Sequence, residues 1–301
     1  MKYSTGHLLS TLCLVSLPFI VSALPSKRAA PSGVDVLTFA LTLEHLENAY
    51  YSQGLAKYSQ DDFTSAGYDT WVRGRFEQIA QHEKTHVETL SSAIAAAGGK
   101  VPQPCEYKFP DDSVTAFIKL SDDFETVGTS AYNGALSLLS EAGKSDYVTV
   151  AGSILAIEAR QSTWINSAVL KAYPWSTAFE TALSANEAFT IASTFIDSCP
   201  SDNPPLIAHP FPTLTVSSTT PGSRAKLSFE DSGNHGKQLF AAFVTGTETR
   251  FLPIDDNGEV TIPKGLIGTV YVLVTRDNSK VTDEAIVAGP AMARFPYPAS
   301  E

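Results

Sequence analysis

The sequence predicts a multidomain α and β protein: a bundle of four long helices with a short fifth, followed by a small antiparallel β-sandwich. Three observations predict it. Between Val36 and Ala172 four segments show helical hydrophobic spacing, punctuated by glycine and polar breaks. Each of these segments carries a carboxylate at the centre of its apolar stripe. Beyond Pro200 helical spacing disappears, and short β-branched runs alternate with turn residues. At 301 residues, the chain is long enough for each region to bury a core.

The first residues read as a cleavable leader. Lys2 precedes an apolar run from Leu8 to Val21, and Val21-Ser22-Ala23 offers small residues for cleavage. Ser10, Ser16 and Pro18 interrupt that run, which is too short to span a bilayer well. Lys27-Arg28 is a dibasic pair of the kind kexin-type proteases cut. The expected organisation is therefore a signal peptide over 1–23, a pro-piece over 24–28, helices over 29–199, a linker over 200–212 and an immunoglobulin-like sandwich over 213–301. The expected destination is secretion, or the cell surface or cell wall, on a eukaryotic and fungal type of route.

The whole chain has 21 basic and 32 acidic residues, a formal charge of −11, and loss of the leader would deepen it by three. Such a balance argues against nucleic acid or an anionic membrane as partner. No later segment is apolar and long enough for a transmembrane helix. Cys13 leaves with the leader, and Cys105 and Cys199, both in proline-rich contexts after helical segments, are expected to form a disulfide. No Asn-x-Ser/Thr sequon is present.

Taken in order, Asp35 is expected to cap a helix from Val36 to Lys57. Asp61 to Gly67 reads as a polar break. A second helix runs from Tyr68 to Ala97 and stops at Gly98-Gly99. Val101 to Asp112, with three prolines and Cys105, is a long loop. A third helix runs from Ser113 to Glu141 with acids in its first turn, and a fourth from Ser145 to Ala172 beyond the Gly143 break. Tyr173-Pro174-Trp175 turns the chain into a fifth, Thr177 to Phe195. Six or seven strands are expected among LTVSS, AKLSFE, LFAAFV, TRFLPI, EVTI, TVYVLVT and EAIVAGPA, with Asp256-Asn257-Gly258 as a hairpin turn.

The stretch RFEQIAQHEKTHVETLSSAI, Arg75 to Ile94, carries the chemistry. Glu83 and His86 fall inside its apolar stripe of Phe76, Ile79, Val87, Leu90 and Ile94. A buried ionised carboxylate needs a partner. Glu-x-x-His facing a bundle core is the ligand pattern of a carboxylate-bridged metal pair, although a plain Glu-His hydrogen bond would leave the same trace. Glu44, Glu125 and Glu158 occupy the same place on the other three stripes. The arrangement repeats, because Glu44 is followed seven residues later by Tyr51 and Glu125 by Tyr132. Glu83 is followed three later by His86, and Glu158 by Gln161.

LTLEHLENAYY, FEQIAQHEKTHVETL, FETVGTSAYNGAL and ILAIEARQSTWI together resemble the ferritin-like superfamily, most closely its secreted fungal stress-response branch with relatives among plant desiccation-related proteins. The resemblance covers Val34 to Cys199 and implies an up-down bundle with a long crossover between the second and third helices. It implies iron or manganese, as one or two ions. Glu44 and His86 would hold one ion, Glu83 and Glu158 would bridge, and Glu125 would serve the second. Tyr51 and Tyr132 would orient carboxylates through hydrogen bonds, with Glu47 an alternative ligand or neighbouring acid. Gln161 stands where the full pattern has its second histidine, and a neutral amide oxygen is a weaker ligand for either metal. One ion, two unequal ions, or a residual polar network are the resulting alternatives.

If metal binds, the resemblance implies oxygen or peroxide chemistry rather than storage in a cage, which an appended β-domain would hinder. A metal-free structural or protective protein is the competing expectation, and no catalytic residue follows from the sequence. His82-Glu83-Lys84-Thr85-His86 also spells the His-Glu-x-x-His of zinc metalloproteases. That reading puts His82 at the flank of the stripe, supplies no evident third ligand, and leaves Glu44, Glu125 and Glu158 unexplained. His45, His209 and His235 read as structural or exposed, and the sandwich as a binding or spacer module.

Overall fold

The computed structural model describes residues 30–230, 233 and 236–297. The expected leader and pro-piece, and His235, lie outside the described residues.

Four long helices form the bundle: α1 (Gly33–Lys57), α3 (Val72–Ala96), α4 (Val114–Glu141) and α5 (Ser145–Trp164). Val36, Leu37, Leu90, Ile94 and Leu139 cluster at one end, and Tyr50, Phe76, Phe117 and Ile165 at the other. These groupings make α1 antiparallel to α3 and α4, so 97–113 must run the length of the bundle between α3 and α4. That is the crossover the resemblance implies.

Local chemistry sets the ends. Ser32, not Asp35, is the N-cap of α1: its hydroxyl accepts from the Asp35 N–H, while the Asp35 carboxylate accepts from the Ser32 N–H at 2.8 Å. This reciprocal box satisfies two of the orphan donors at a helix start. The same box at Ser59 and Asp62 folds the expected polar break into a short helix, α2 (Gln60–Ser65). Gly98, at φ 75°, ends α3, and the Gly99 N–H bonds back to the Ile94 carbonyl. Ser113 caps α4, which leaves Asp111 and Asp112 ahead of the helix rather than in its first turn.

The end of the bundle departs further from expectation. After Trp164 the fourth helix widens into a π-helical turn, Ile165–Val169. The expected fifth helix shrinks to α6 (Ala185–Ser193), capped by Ser184 and Glu187. Residues 177–184 are irregular because they bond outward. Thr181 Oγ1 accepts the Gly246 N–H at 2.8 Å, and Ser176 Oγ accepts the Thr269 N–H at 2.7 Å.

A pair of very short strands, β1 (Glu106–Tyr107) and β2 (Ile196–Ser198), flanks the disulfide between Cys105 and Cys199. All seven candidate sandwich runs form strands. β3 (Thr215–Val216), β4 (Arg224–Ser228) and β7 (Glu259–Thr261) make one sheet in the order β3-β4-β7. β5 (Phe240–Thr245), β6 (Glu248–Pro253), β8 (Gly268–Thr275) and β9 (Ile286–Phe295) make the other in the order β6-β5-β8-β9. Leu227 and Val260 from the first sheet share a core with Phe243, Val272 and Phe295 from the second.

Every residue of β8 is buried. Val270, Val272 and Val274 face the sandwich core, whereas Tyr271 belongs to the main core of the helices. A strand covered on both faces reads as a continuous apolar run, and GTVYVLVT is one. The Tyr271 and Ser130 hydroxyls lie 2.9 Å apart, and Arg294 of β9 reaches Asp122 and Asp123 of α4 at 2.6 and 2.9 Å. No helix among the described residues is long and apolar enough to cross a membrane.

The disulfide closes a loop of 94 residues, which by chain entropy stabilises the fold by about 4 kcal/mol. Replacing Cys105 and Cys199 together by serine is therefore expected to lower the urea unfolding free energy by about 3–5 kcal/mol. A loss below about 1 kcal/mol would mean that the crossover is held by its other contacts.

Candidate metal centre

α1 is buried on nearly every side between Val36 and Glu47, because α6 and the crossover cover what the bundle does not. His45 is part of that cover: its Nε2 sits 3.0 Å from the Pro102 carbonyl, a structural contact. Glu44 has no route to water and is 0 % exposed. Glu83 and Glu158 are equally enclosed, Glu125 is 1 % exposed, and Glu47, His86 and Gln161 are buried.

The ligand atoms of Glu44, Glu83, His86 and Glu158 all lie within 4.8 Å of one another. They come from α1, α3 and α5, and the tightness of the group follows from the helix register. Glu125 of α4 lies in the same polar interior but outside this tightest group. His86 Nδ1 is 3.0 Å from Glu83 Oε2 and 3.3 Å from Glu44 Oε2.

The sequence repeat has a structural counterpart. Tyr51 of α1 donates to Glu125 Oε1 of α4, and Tyr132 of α4 donates to Glu44 Oε1 of α1. The two Glu-x6-Tyr pairs thus exchange hydrogen bonds across the bundle, each tyrosine orienting the other helix's carboxylate. The symmetry breaks at the third position. Gln161 does not mirror His86; its Nε2 donates to Glu83 Oε1 at 3.1 Å and lies 3.3 Å from His82 Nδ1. Glu83 is therefore held on both oxygens, while Glu158 is held on neither.

That difference identifies the donor set. Among the described residues, Glu125 Oε2, both oxygens of Glu158 and Gln161 Oε1 are buried without a hydrogen bond, and Glu44 Oε2 has only its 3.3 Å contact with His86. Unpaired buried polar atoms each cost about 1–3 kcal/mol, and more when charged. Such atoms, in the interior that also holds the Glu44, Glu83, His86 and Glu158 group, fit a bound cation.

Electrostatics point the same way. Burial, then repulsion from neighbouring acids, pushes the carboxyls of Glu47 and Glu158 well above their ordinary range. Burial does the same to Glu125, with Glu83 adding to it, and lifts Glu83 to about 7. Burial alone would lower His86, but hydrogen bonds and charge from Glu44 and Glu83 outweigh it and raise the imidazole to about 10. Burial thus favours the protonated forms of Glu47, Glu83, Glu125 and Glu158.

Gly128 is the site residue that sequence reading passed over. A Cβ on it would meet Glu158 Oε2 at 2.4 Å and Glu47 Oε1 at 3.0 Å, so both carboxylates rest against bare backbone. A small cavity of about 20 Å³, room for roughly one water, lies beside it between Glu44, Glu47 and Tyr132. The available signal was a glycine in mid-helix, which costs about 1 kcal/mol relative to alanine and so calls for a reason.

The geometry lends the protease reading no support. His82 is exposed on the helix, lies 3.3 Å from Gln161 Nε2, and is not among the group formed by Glu44, Glu83, His86 and Glu158. Glu83 is wholly enclosed and cannot act as a base on an arriving peptide.

Residues 32–171 match the model of the family described as Ferritin-like domain. The helical half is similar to a ferritin-like domain over that stretch. Protein rds1 of Schizosaccharomyces pombe is 28% identical over 178 residues, which cover 59% of this chain and 42% of that protein. The chain therefore spans less than half the length of that relative. Among solved structures, a ferritin-like, diiron-carboxylate protein from Bacillus anthracis str. Ames is 16% identical over 45% of this chain and 94% of its own, with a TM-score of 0.40. Desulfovibrio desulfuricans bacterioferritin, described with a diiron site, is 22% identical over 45% of this chain and 76% of its own, with a TM-score of 0.38.

Two outcomes follow for this domain. Between the ordinary carboxyl value of 4.5 and about 7, folded Glu83 binds more protons than unfolded Glu83, and Glu47, Glu125 and Glu158 act in the same sense. His86, raised from 6.5 to about 10, likewise stabilises at low pH and loses that contribution as pH climbs. The thermal midpoint of metal-free protein is thus expected to fall steadily from pH 5 to pH 8; a rising midpoint contradicts this. The second concerns Gly128→Ala, which displaces the Glu158 carboxylate and is expected to weaken manganese affinity by about 10–100-fold, as misplaced ligands do. Unchanged affinity in a manganese titration would show that Glu158 is not a ligand.

Proposed function

We propose that this chain is a secreted ferritin-like protein that binds iron or manganese among Glu44, Glu83, His86 and Glu158, with Glu125 serving a second and weaker position. The observation that carries the reading is the set of buried oxygens without hydrogen bonds around His86. A redox-active ion held by these residues would supply chemistry toward oxygen or peroxide. The remaining work belongs to the chain. Tyr51 and Tyr132 fix the orientation of Glu125 and Glu44, and the surrounding core excludes bulk water. Gln161 spends its amide on Glu83 and His82, so the half of the site that includes Glu125 lacks a nitrogen donor. That asymmetry supports unequal occupancy, with the first ion on the His86 side.

Secretion is supported by the leader and dibasic pair read in the sequence, and by the disulfide, a bond typical of oxidising compartments. A role in the stress response of a fungal cell surface agrees with the family branch that the motifs resemble. The alternative, a metal-free protective scaffold, draws on the missing nitrogen at Gln161.

Elemental analysis of protein purified through its secretory route distinguishes the two. The proposal expects about one transition-metal ion per chain, lost in Glu158→Gln, with that variant also unfolding at a higher temperature than metal-free wild type because a buried acid is gone. Absence of metal from wild type, even after reconstitution with iron(II) or manganese(II), would establish the scaffold.

A further inference from the structure

A second cavity, about 230 Å³ in volume, lies between α4, the end of α5, the 173–180 segment and the strands β8 and β9. It takes no part in the metal cluster. Meetings of helical and sheet regions are common places for small-molecule sites. Its floor is polar: Thr126, Thr129 and Thr269 are buried there beside Arg294. Trp175 also lines it and is 68 % exposed, so the indole stands at the mouth.

The mouth is held in place. The Trp175 carbonyl accepts from the Tyr297 hydroxyl at 2.9 Å, and the neighbouring Ser176 Oγ accepts the Thr269 N–H at 2.7 Å. On the other side the Thr163 hydroxyl donates to the Pro174 carbonyl at 3.0 Å. The π-helical turn at Ile165–Val169 and the left-handed Lys171, at φ 56°, deliver the chain to this position. Both are conformations that proteins tend to keep at functional sites.

The lining specifies a ligand class. Arg294 is already neutralised by Asp122 and Asp123, so the cavity has no spare cation for an anionic ligand. Glu180 accepts from the Thr181 N–H and the Ser130 hydroxyl through one oxygen, and burial pushes its carboxyl pKa up, which disfavours a negative wall. What remains is a mixture of uncharged donors and acceptors. Thr129 and Thr163 spend their protons on backbone carbonyls and keep lone pairs. The Asn166 amide donates to Asp122, leaving its oxygen. The Trp175 indole N–H and Tyr173 hydroxyl have no hydrogen bond among the described residues, so both remain available as donors.

We propose that this cavity binds a neutral sugar, one pyranose ring in size, with Trp175 stacking on the ring and Asn166 and the threonine hydroxyls meeting its hydroxyl groups. A polyol is both donor and acceptor at each position, which is what a wall of this composition requires. The site is independent of the metal cluster, whose side chains come from α1, α3 and α5 and do not line this cavity.

Isothermal titration calorimetry on the full-length protein tests it, using glucose, mannose, galactose and N-acetylglucosamine, with choline and citrate as charged probes. At least one neutral sugar is expected to bind saturably at one site per chain. Trp175→Ala and Asn166→Ala should each weaken that binding at least about tenfold, the loss of one good contact. Circular dichroism should confirm that both variants are folded. Trp71→Ala, which removes an exposed indole elsewhere, should leave it unchanged. No saturable heat from any neutral sugar would overturn the proposal. So would binding of choline or citrate alone, or sugar binding that survives in folded Trp175→Ala and Asn166→Ala together.

Discussion

Five glutamates share one helical interior with one imidazole, and the rest of the helical domain is arranged around that imbalance. Glu44, Glu47, Glu83, Glu125 and Glu158 are all buried. An unpaired charge in such a place costs several kcal/mol, against a total stability for a domain of only about 5–15 kcal/mol. The structure cannot carry five such charges, so some must be neutral, paired, or bound to a cation. Two tyrosines, one histidine and one glutamine provide part of the compensation. They leave Glu158 with neither oxygen satisfied, the mark of a site built for something other than its own stability.

Enclosure of that site depends on elements outside the bundle. The crossover covers α1 at His45, α6 packs Phe189 on Phe39, and β8 lends Tyr271 to the helical core. The disulfide ties the crossover to the end of the helical region. The β-sandwich is thus more than a module on a tether: its strand β8 is buried on both faces, with Val270, Val272 and Val274 in the sandwich core and Tyr271 in the core of the helices. The same junction creates the polar cavity beside Arg294, which neither half could form alone.

Much of this was legible in the sequence, and for definite reasons. Carboxylates at the centre of apolar stripes could be placed on core faces because helical period is a strong signal over 25 residues. The seven strands were legible from β-branched runs and turn residues. Other features were not. Ser32 rather than Asp35 is the cap because the choice depends on which backbone amide each oxygen reaches. The stretch from Thr177 to Ser184 has helical composition but is captured by the Gly246 N–H, a tertiary override no local pattern records. Gly128 looked like an incidental residue until the Glu158 and Glu47 carboxylates were found lying against it. The swap by which each tyrosine serves the opposite helix was implicit in the repeat, but only three dimensions show which carboxylate each one meets.

The central claim is that the buried acids hold protons in the absence of metal and exchange them for a cation. Proton release during manganese(II) titration tests it most directly, measured at pH 7 by calorimetry in buffers of different ionisation enthalpy. Saturable binding is expected to liberate more than one proton per ion, since burial raises the carboxyls of Glu83 and Glu158, and Glu44 and Glu83 raise His86. Binding without proton release, or no binding at all, would contradict it.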